Sequence, residues 1–262
     1  MDKATLGGWA IAFVALVGSV LLDHGSLAAL FNPSAALLVL GGTLGATMVS
    51  FSLKDIKAIT AAARVALRDP ASQMQGLIDM MVGFAESARR EGLLALDRRL
   101  EDISDPFLKA GIQSVVDGVD PELVRALLET ELTNLERRHE VGAKVLETAG
   151  GYAPTMGIIG TVMGLVHVLS NLTSAASLGP SIATAFIATL YGIGTANLAW
   201  LPLSTKLKNR SAEEVQEREM MIEGVLSIQA GDNPRIIREK LEAFLPPSLR
   251  QREDAPEPAA VR

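Results

Sequence analysis

Residues 148–205 read TAGGYAPTMGIIGTVMGLVHVLSNLTSAASLGPSIATAFIATLYGIGTANLAWLPLST, 58 consecutive positions without Asp, Glu, Lys or Arg. A helix needs about 20 apolar residues to cross the hydrocarbon core, so this stretch is too long for one crossing and right for two. Its small and hydroxyl residues describe a closely packed wall rather than a greasy anchor. A self-sufficient ion carrier keeps an ionisable group inside the membrane. Here only His167 has a side chain that can become charged, so a carboxylate for ion passage has to come from another protein.

Working outward, two more crossings precede this pair. Thr5 to Leu22 is the first, and Ser34 to Leu53, entered through Asn32-Pro33, is the second. Gly151 to Leu172 and Pro180 to Thr205 are the third and fourth. Residues 54–147 carry 13 Lys or Arg, residues 206–262 carry 10, and Lys3 is the only other one. The short connections 23–33 and 173–179 carry none. The positive-inside rule therefore puts both termini and the middle segment in the cytoplasm. A cleaved signal peptide is the alternative for the first segment, but its single Lys beside Asp2 and the weak Ser26-Leu27-Ala28 site argue against it.

The expected fold class is all-α: a polytopic membrane protein with four transmembrane helices and a helical cytoplasmic domain. The expected divisions are 5–53, 54–147, 148–205, 206–245 and a disordered tail, 246–262. Ser72 opens a helix with apolar Met74, Leu77, Ile78, Met81, Val82 and Ala85 at helical spacing. Asp120-Pro121 is a second helix start, a capping carboxylate before proline at the first position. Gly150-Gly151 lets the chain change direction before the third crossing. Lys206 to Ile228 reads as a helix, and Asp232-Asn233-Pro234 begins a shorter one.

Composition excludes several functions. A formal net charge of −6 argues against nucleic acid. The chain has no cysteine, and its three histidines are scattered. Gly41 to Gly45 is glycine-rich but lies in a span with no phosphate-loop lysine after it. No nucleophile with a nearby base stands out, so no enzyme activity and no cofactor is expected.

Within the pair of crossings, Gly157, Gly160 and Gly164 share one helix flank, and Ser181, Ala185, Thr189, Gly192 and Ala196 make a similar stripe; such spacing lets helices approach closely. Thr161 and Thr189 lie at similar depth, about 20–24 Å from the cytoplasmic boundary at 1.5 Å per residue. They either line a polar passage or bond the backbone of their own preceding turns. Pro154 and Pro202, toward the cytoplasmic end, are static kinks or hinges.

The run Gly150 to Leu169, GGYAPTMGIIGTVMGLVHVL, resembles the third crossing of flagellar stator A subunits of the MotA/PomA type. Ser181 to Lys208, with Ala188-Thr-Leu-Tyr-Gly-Ile193 and the Trp200-Leu-Pro-Leu203 exit, is similar to their fourth. The resemblance covers the chain to about residue 246. It implies an inner-membrane, multi-pass subunit in a ring of about five copies around two MotB-type B subunits. These carry the membrane aspartate and a peptidoglycan-binding domain, and proton or sodium flow past that aspartate turns the ring against the rotor protein FliG. Arg89, Arg90 and Asp97 match the rotor-facing charges, with Asp97 where relatives often have Glu. Pro154 and Pro202 match the prolines that couple ion flow to movement, and Thr161 and Thr189 match the ion-path hydroxyls. An ExbB/TolQ-like energiser of an envelope process is the alternative; such proteins usually have three crossings, and the first two crossings here argue against it. A membrane scaffold whose small residues only pack helices is a third reading.

Overall fold

A computed structural model describes residues 3–57, 74–170 and 175–250, with the side chains of 175–177 left aside. Ser72, the end of the third crossing at Leu172, the connection through residue 174 and the tail from 251 fall outside those residues. In chain order the helices are α1 (Lys3–Leu22), α2 (Pro33–Ala36), α3 (Gly42–Ser50), α4 (Met74–Glu91), α5 (Pro106–Val116), α6 (Pro121–Ser170), α7 (Ala175–Thr195), α8 (Leu201–Ala230) and α9 (Pro234–Glu242). Leu37–Gly41 and Ala196–Trp200 are π-helical turns, and Leu93–Asp102 is 3-10 helix. No strand occurs among the described residues. The fold is all-α, and four helical stretches, Lys3–Leu22, Leu27–Ser50, Pro121–Ser170 and Leu178–Ala230, are long and apolar enough to cross a membrane.

The contacts divide the chain into two units, residues 1–70 with 137–211 and residues 71–136 with 212–262. In the first, Asn32 caps α2 by accepting from the Ala35 N–H at 3.0 Å, with Pro33 at the first helical position. The same residue ties α2 to α7. Its amide side chain donates to Thr184 Oγ1 at 3.0 Å, and its backbone N–H donates to the Tyr191 hydroxyl at 3.1 Å. Tyr191 in turn donates to the Leu30 carbonyl. Near the other end of α3, Ser50 and Tyr152 hydroxyls meet at 2.9 Å. Trp9 of α1 donates its indole N–H to the Leu198 carbonyl at 2.7 Å, and Lys206 donates to Thr5 Oγ1.

The second unit is built like a water-soluble helical core. Ile78, Met81, Phe84, Leu96, Phe107, Ile112, Met220, Ile237 and Leu241 are all buried together. The apolar period expected from residue 74 supplies the α4 face of this core. Asp105 caps α5 through the N–H groups of Phe107 and Leu108, at 2.8 and 3.1 Å. Asp120 accepts from the Glu122 N–H at 2.9 Å at the start of α6. Two guanidiniums lie over core rings, Arg99 at 4.6 Å from Phe84 and Arg218 at 4.8 Å from Phe107.

Two local expectations are corrected. The chain does not turn at Gly150-Gly151, since α6 runs straight through both residues. A Cβ on Gly150 would stand 2.6 Å from Leu201 Cδ2, so this glycine serves close approach rather than a bend. Pro180 does not begin the fourth helix but lies inside α7. Residues 93–102 wind as 3-10 helix, after Gly92 breaks α4 with a φ of 86° that a side chain would strain.

Glu217 of α8 is the carboxylate least at home in this unit. Burial pushes its pKa up, and the Asp105 charge adds to the effect. A raised carboxylate pKa means that the folded state favours the protonated form, so this group costs stability at neutral pH and the cost fades as pH falls through its titration. Glu217→Gln is expected to raise the melting temperature of the purified protein at pH 7, with the gain shrinking toward zero near about pH 4. Thermal unfolding followed across pH measures this, and an equal gain at both ends would contradict it.

Candidate functional site

The wall expected from residues 148–205 is a seam between α6 and α7. A Cβ on Gly157 would lie 2.9 Å from the Ala188 carbonyl oxygen, and one on Gly192 would lie 2.6 Å from that of Ala153. These obstacles are backbone atoms, which no rotamer change can move. Farther along α6, Cβ atoms on Gly160 and Gly164 would meet the methyls of Ala188 and Ala185 at 2.6 and 2.7 Å. Leu38, in the first π-helical turn, closes on Gly160 from another side, at 3.0 Å from the same imagined Cβ. Gly42 of α3 receives Met156 of α6 in the same way, at 2.8 Å.

This approach brings Thr161 and Thr189 together. Their hydroxyls are directly hydrogen-bonded. Thr161 Oγ1 also lies 3.2 Å from the Gly157 carbonyl and 3.1 Å from that of Ala185. Thr161 thus bonds the backbone of its own preceding turn, one of the two readings left open by sequence, and also reaches the facing helix. Proton counting orders the pair. The Thr161 hydroxyl has one proton, and when it donates to either carbonyl, Thr189 must donate to Thr161. The Thr189 oxygen then keeps acceptor lone pairs for a cation or a water. Both residues are only half-buried in this chain.

The other expected site residues are placed as follows. Pro154 lies inside α6, half-buried, and Pro202 is exposed at the second position of α8, directly after the π-helical turn Ala196–Trp200. His167 is exposed near the end of α6. In the second unit Arg89 and Arg90 are exposed on the last turn of α4, and Asp97 is exposed on the 3-10 segment beyond Gly92. Leu94, between them, is 74% exposed.

Sequence reasoning missed several polar groups of the first unit. Thr43 is buried, with no hydrogen-bond partner for its hydroxyl, one turn before Thr47, whose hydroxyl donates to the Thr43 carbonyl at 2.8 Å. The signal available was their spacing of four in an apolar span. The Tyr191 and Trp9 bonds were also missed, although a phenol or indole within a membrane segment needs a partner. No cluster of metal-binding side chains is found among the described residues.

The model for the MotA/TolQ/ExbB proton channel family matches residues 99–220, and that for the motility protein A N-terminal region matches residues 6–92. Motility protein A of Bacillus subtilis (strain 168) is 43% identical, covering 94% of this chain and 92% of its own. Chemotaxis protein PomA of Vibrio alginolyticus is 35% identical, covering 94% and 96%. Among solved structures, the flagellar MotAB stator complex from Bacillus subtilis superposes with a TM-score of 0.88 at 42% identity, covering 94% of this chain and 96% of that one. The C. jejuni MotAB structure gives 0.89 at 30% identity, covering 98% of both.

The seam makes a direct prediction. Gly192→Val forces backbone apart against the Ala153 carbonyl and is expected to cost about 1–3 kcal/mol by overpacking alone. Gly194→Ala, whose Cβ meets nothing within 4 Å, serves as the control. Thermal stability of the two purified variants should separate them, and equal behaviour would remove the seam from the account.

Proposed function

The chain belongs to the motility protein A family of flagellar motor stator subunits, and on that premise we propose how its parts divide the work. Several copies, five in our reading, ring two MotB-type B subunits in the bacterial inner membrane, with both termini and the charged segments in the cytoplasm. The B subunit supplies a membrane carboxylate, and this chain supplies the wall along which protons or sodium ions pass it. Arg89, Arg90 and Asp97 transmit force to the rotor protein FliG. No cofactor or enzymatic step is part of the scheme.

One observation carries the reading: a hydroxyl pair, Thr161 and Thr189, set in a glycine seam within 58 residues that hold no carboxylate. Hydroxyl oxygens can replace part of an ion's hydration shell, but they cannot take up and release a proton near neutral pH as a carboxylate does by passing through its neutral acid. A partner carboxylate completes the path. Pro154 and Pro202 are the coupling prolines, each interrupting the helical ladder beside that path. The match of residues 6–92 to the motility protein A N-terminal model favours this scheme over an envelope energiser.

Two tests follow. Thr161→Val with Thr189→Val keeps the volume but removes both oxygens; swimming speed should fall at normal protein level, while the double Ser variant should retain most of it. Measuring both against sodium concentration, with a proton uncoupler as control, identifies the ion, and full speed in the Val variant would exclude the pair from the path. Arg89→Glu or Asp97→Lys should lower torque in tethered cells without lowering the amount of assembled complex; unchanged torque would remove these charges from the rotor contact.

A further inference from the structure

We propose that Trp9 is a positioning residue for Pro202: its indole N–H completes the backbone of the fourth membrane helix where that proline leaves it open. The inference rests on the reading of Pro202 as a coupling proline. Pro202 has no N–H, so the carbonyl four residues before it, that of Leu198, loses its helical donor. The chain widens into a π-helical turn over Ala196–Trp200 immediately before the proline, with the Leu201 N–H bonded to the Ala196 carbonyl, five residues back. Inside a membrane an unsatisfied carbonyl is costly, and a neighbouring helix has to provide for it. Trp9 Nε1 does so at 2.7 Å.

The ordinary account of a tryptophan at this depth is an interfacial anchor, whose N–H faces headgroups and water. Trp9 is half-buried, and its N–H is aimed instead at the Leu198 carbonyl, whose α-helical donor would have been the missing N–H of Pro202. A second bond from the same helix falls on the other side of the proline, where Lys206 donates to Thr5. Leu198 and Lys206 stand four residues before and four after Pro202, so α1 braces the segment on both sides. None of the side chains of α1 is fully buried, so broad apolar packing does not fix it here. Bending or unbending at Pro202 changes the reach from Trp9 to Leu198, and the bond therefore favours one setting of the helix.

A double-mutant cycle on the purified complex with its B subunit tests this. Trp9→Phe removes the N–H and keeps an aromatic ring. It should lower the thermal midpoint in the wild-type background but not in a Pro202→Ala background, where residue 202 again provides the helical donor. An equal loss in both backgrounds, or none in either, overturns the proposal. A second readout follows function. At matched protein level Trp9→Phe should lower torque per stator unit in tethered cells, and Trp9→His, which returns a ring N–H, should restore part of it. No torque loss from Trp9→Phe, or no recovery with His, also overturns it. The thermal cycle needs no working motor, so failure of the stator reading would leave its result interpretable.

Discussion

The backbone contact between α6 and α7 at Gly157 and Gly192 is the constraint on which the membrane unit depends. Lipid tails are as apolar as leucine, so burying hydrocarbon contributes little to holding membrane helices together. Dispersion between closely fitted surfaces and a few hydrogen bonds must do it instead. Side chains larger than glycine at these two positions would separate the helices, and the Thr161 and Thr189 hydroxyls would then lose each other. The same approach explains why Ala185 and Ala188 face Gly164 and Gly160: each small residue is met by one still smaller.

Around that contact, several polar groups are satisfied by partners from another helix. Asn32, Thr184, Tyr191 and the Leu30 carbonyl form one connected set joining α2 to α7. Ser50 and Tyr152 join α3 to α6, and Ser204 of α8 donates to the Ala143 carbonyl of α6 at 2.8 Å. The second unit is packed differently. Its core has large side chains, and several of its charges sit in ion pairs. Lys240 bonds Asp232 at 2.9 Å, a contact that holds the carboxyl below its usual range and the ammonium above its own. That pair stabilises at neutral pH. Its contribution is lost as pH falls through the lowered Asp232 pKa or rises through the raised Lys240 pKa, and it is small because both groups are largely exposed.

Much of this was legible in the sequence. The uncharged stretch, the lysine and arginine asymmetry and the spacing of small residues were enough for four membrane helices and for a seam between the last two. Equal depth of Thr161 and Thr189 followed from helical rise alone, although their direct bond did not. What stayed hidden depends on neighbours distant in sequence. Gly150-Gly151 signals either a bend or a close approach, and only Leu201, 51 positions after Gly150, decides between them. The π-helical turns leave no hydropathy signal, since they change the hydrogen-bond register and not the composition. Nothing in the sequence pairs Trp9 with the Leu198 carbonyl, 189 positions away.

The seam has a mechanical consequence. Glycine and alanine have no side-chain rotamers to lose, so forming their contact carries almost no side-chain entropy cost. They have none to exchange afterwards either. A leucine-lined interface can yield to a push by repacking, as side chains hop between wells and absorb the displacement. Where carbonyl oxygen and Cα sit directly against each other, nothing soft lies between the helices. From Gly157 to Gly164, beyond Pro154, α6 and α7 therefore meet with no soft layer between them, and a displacement of one helix passes to the other with little lost to internal compliance.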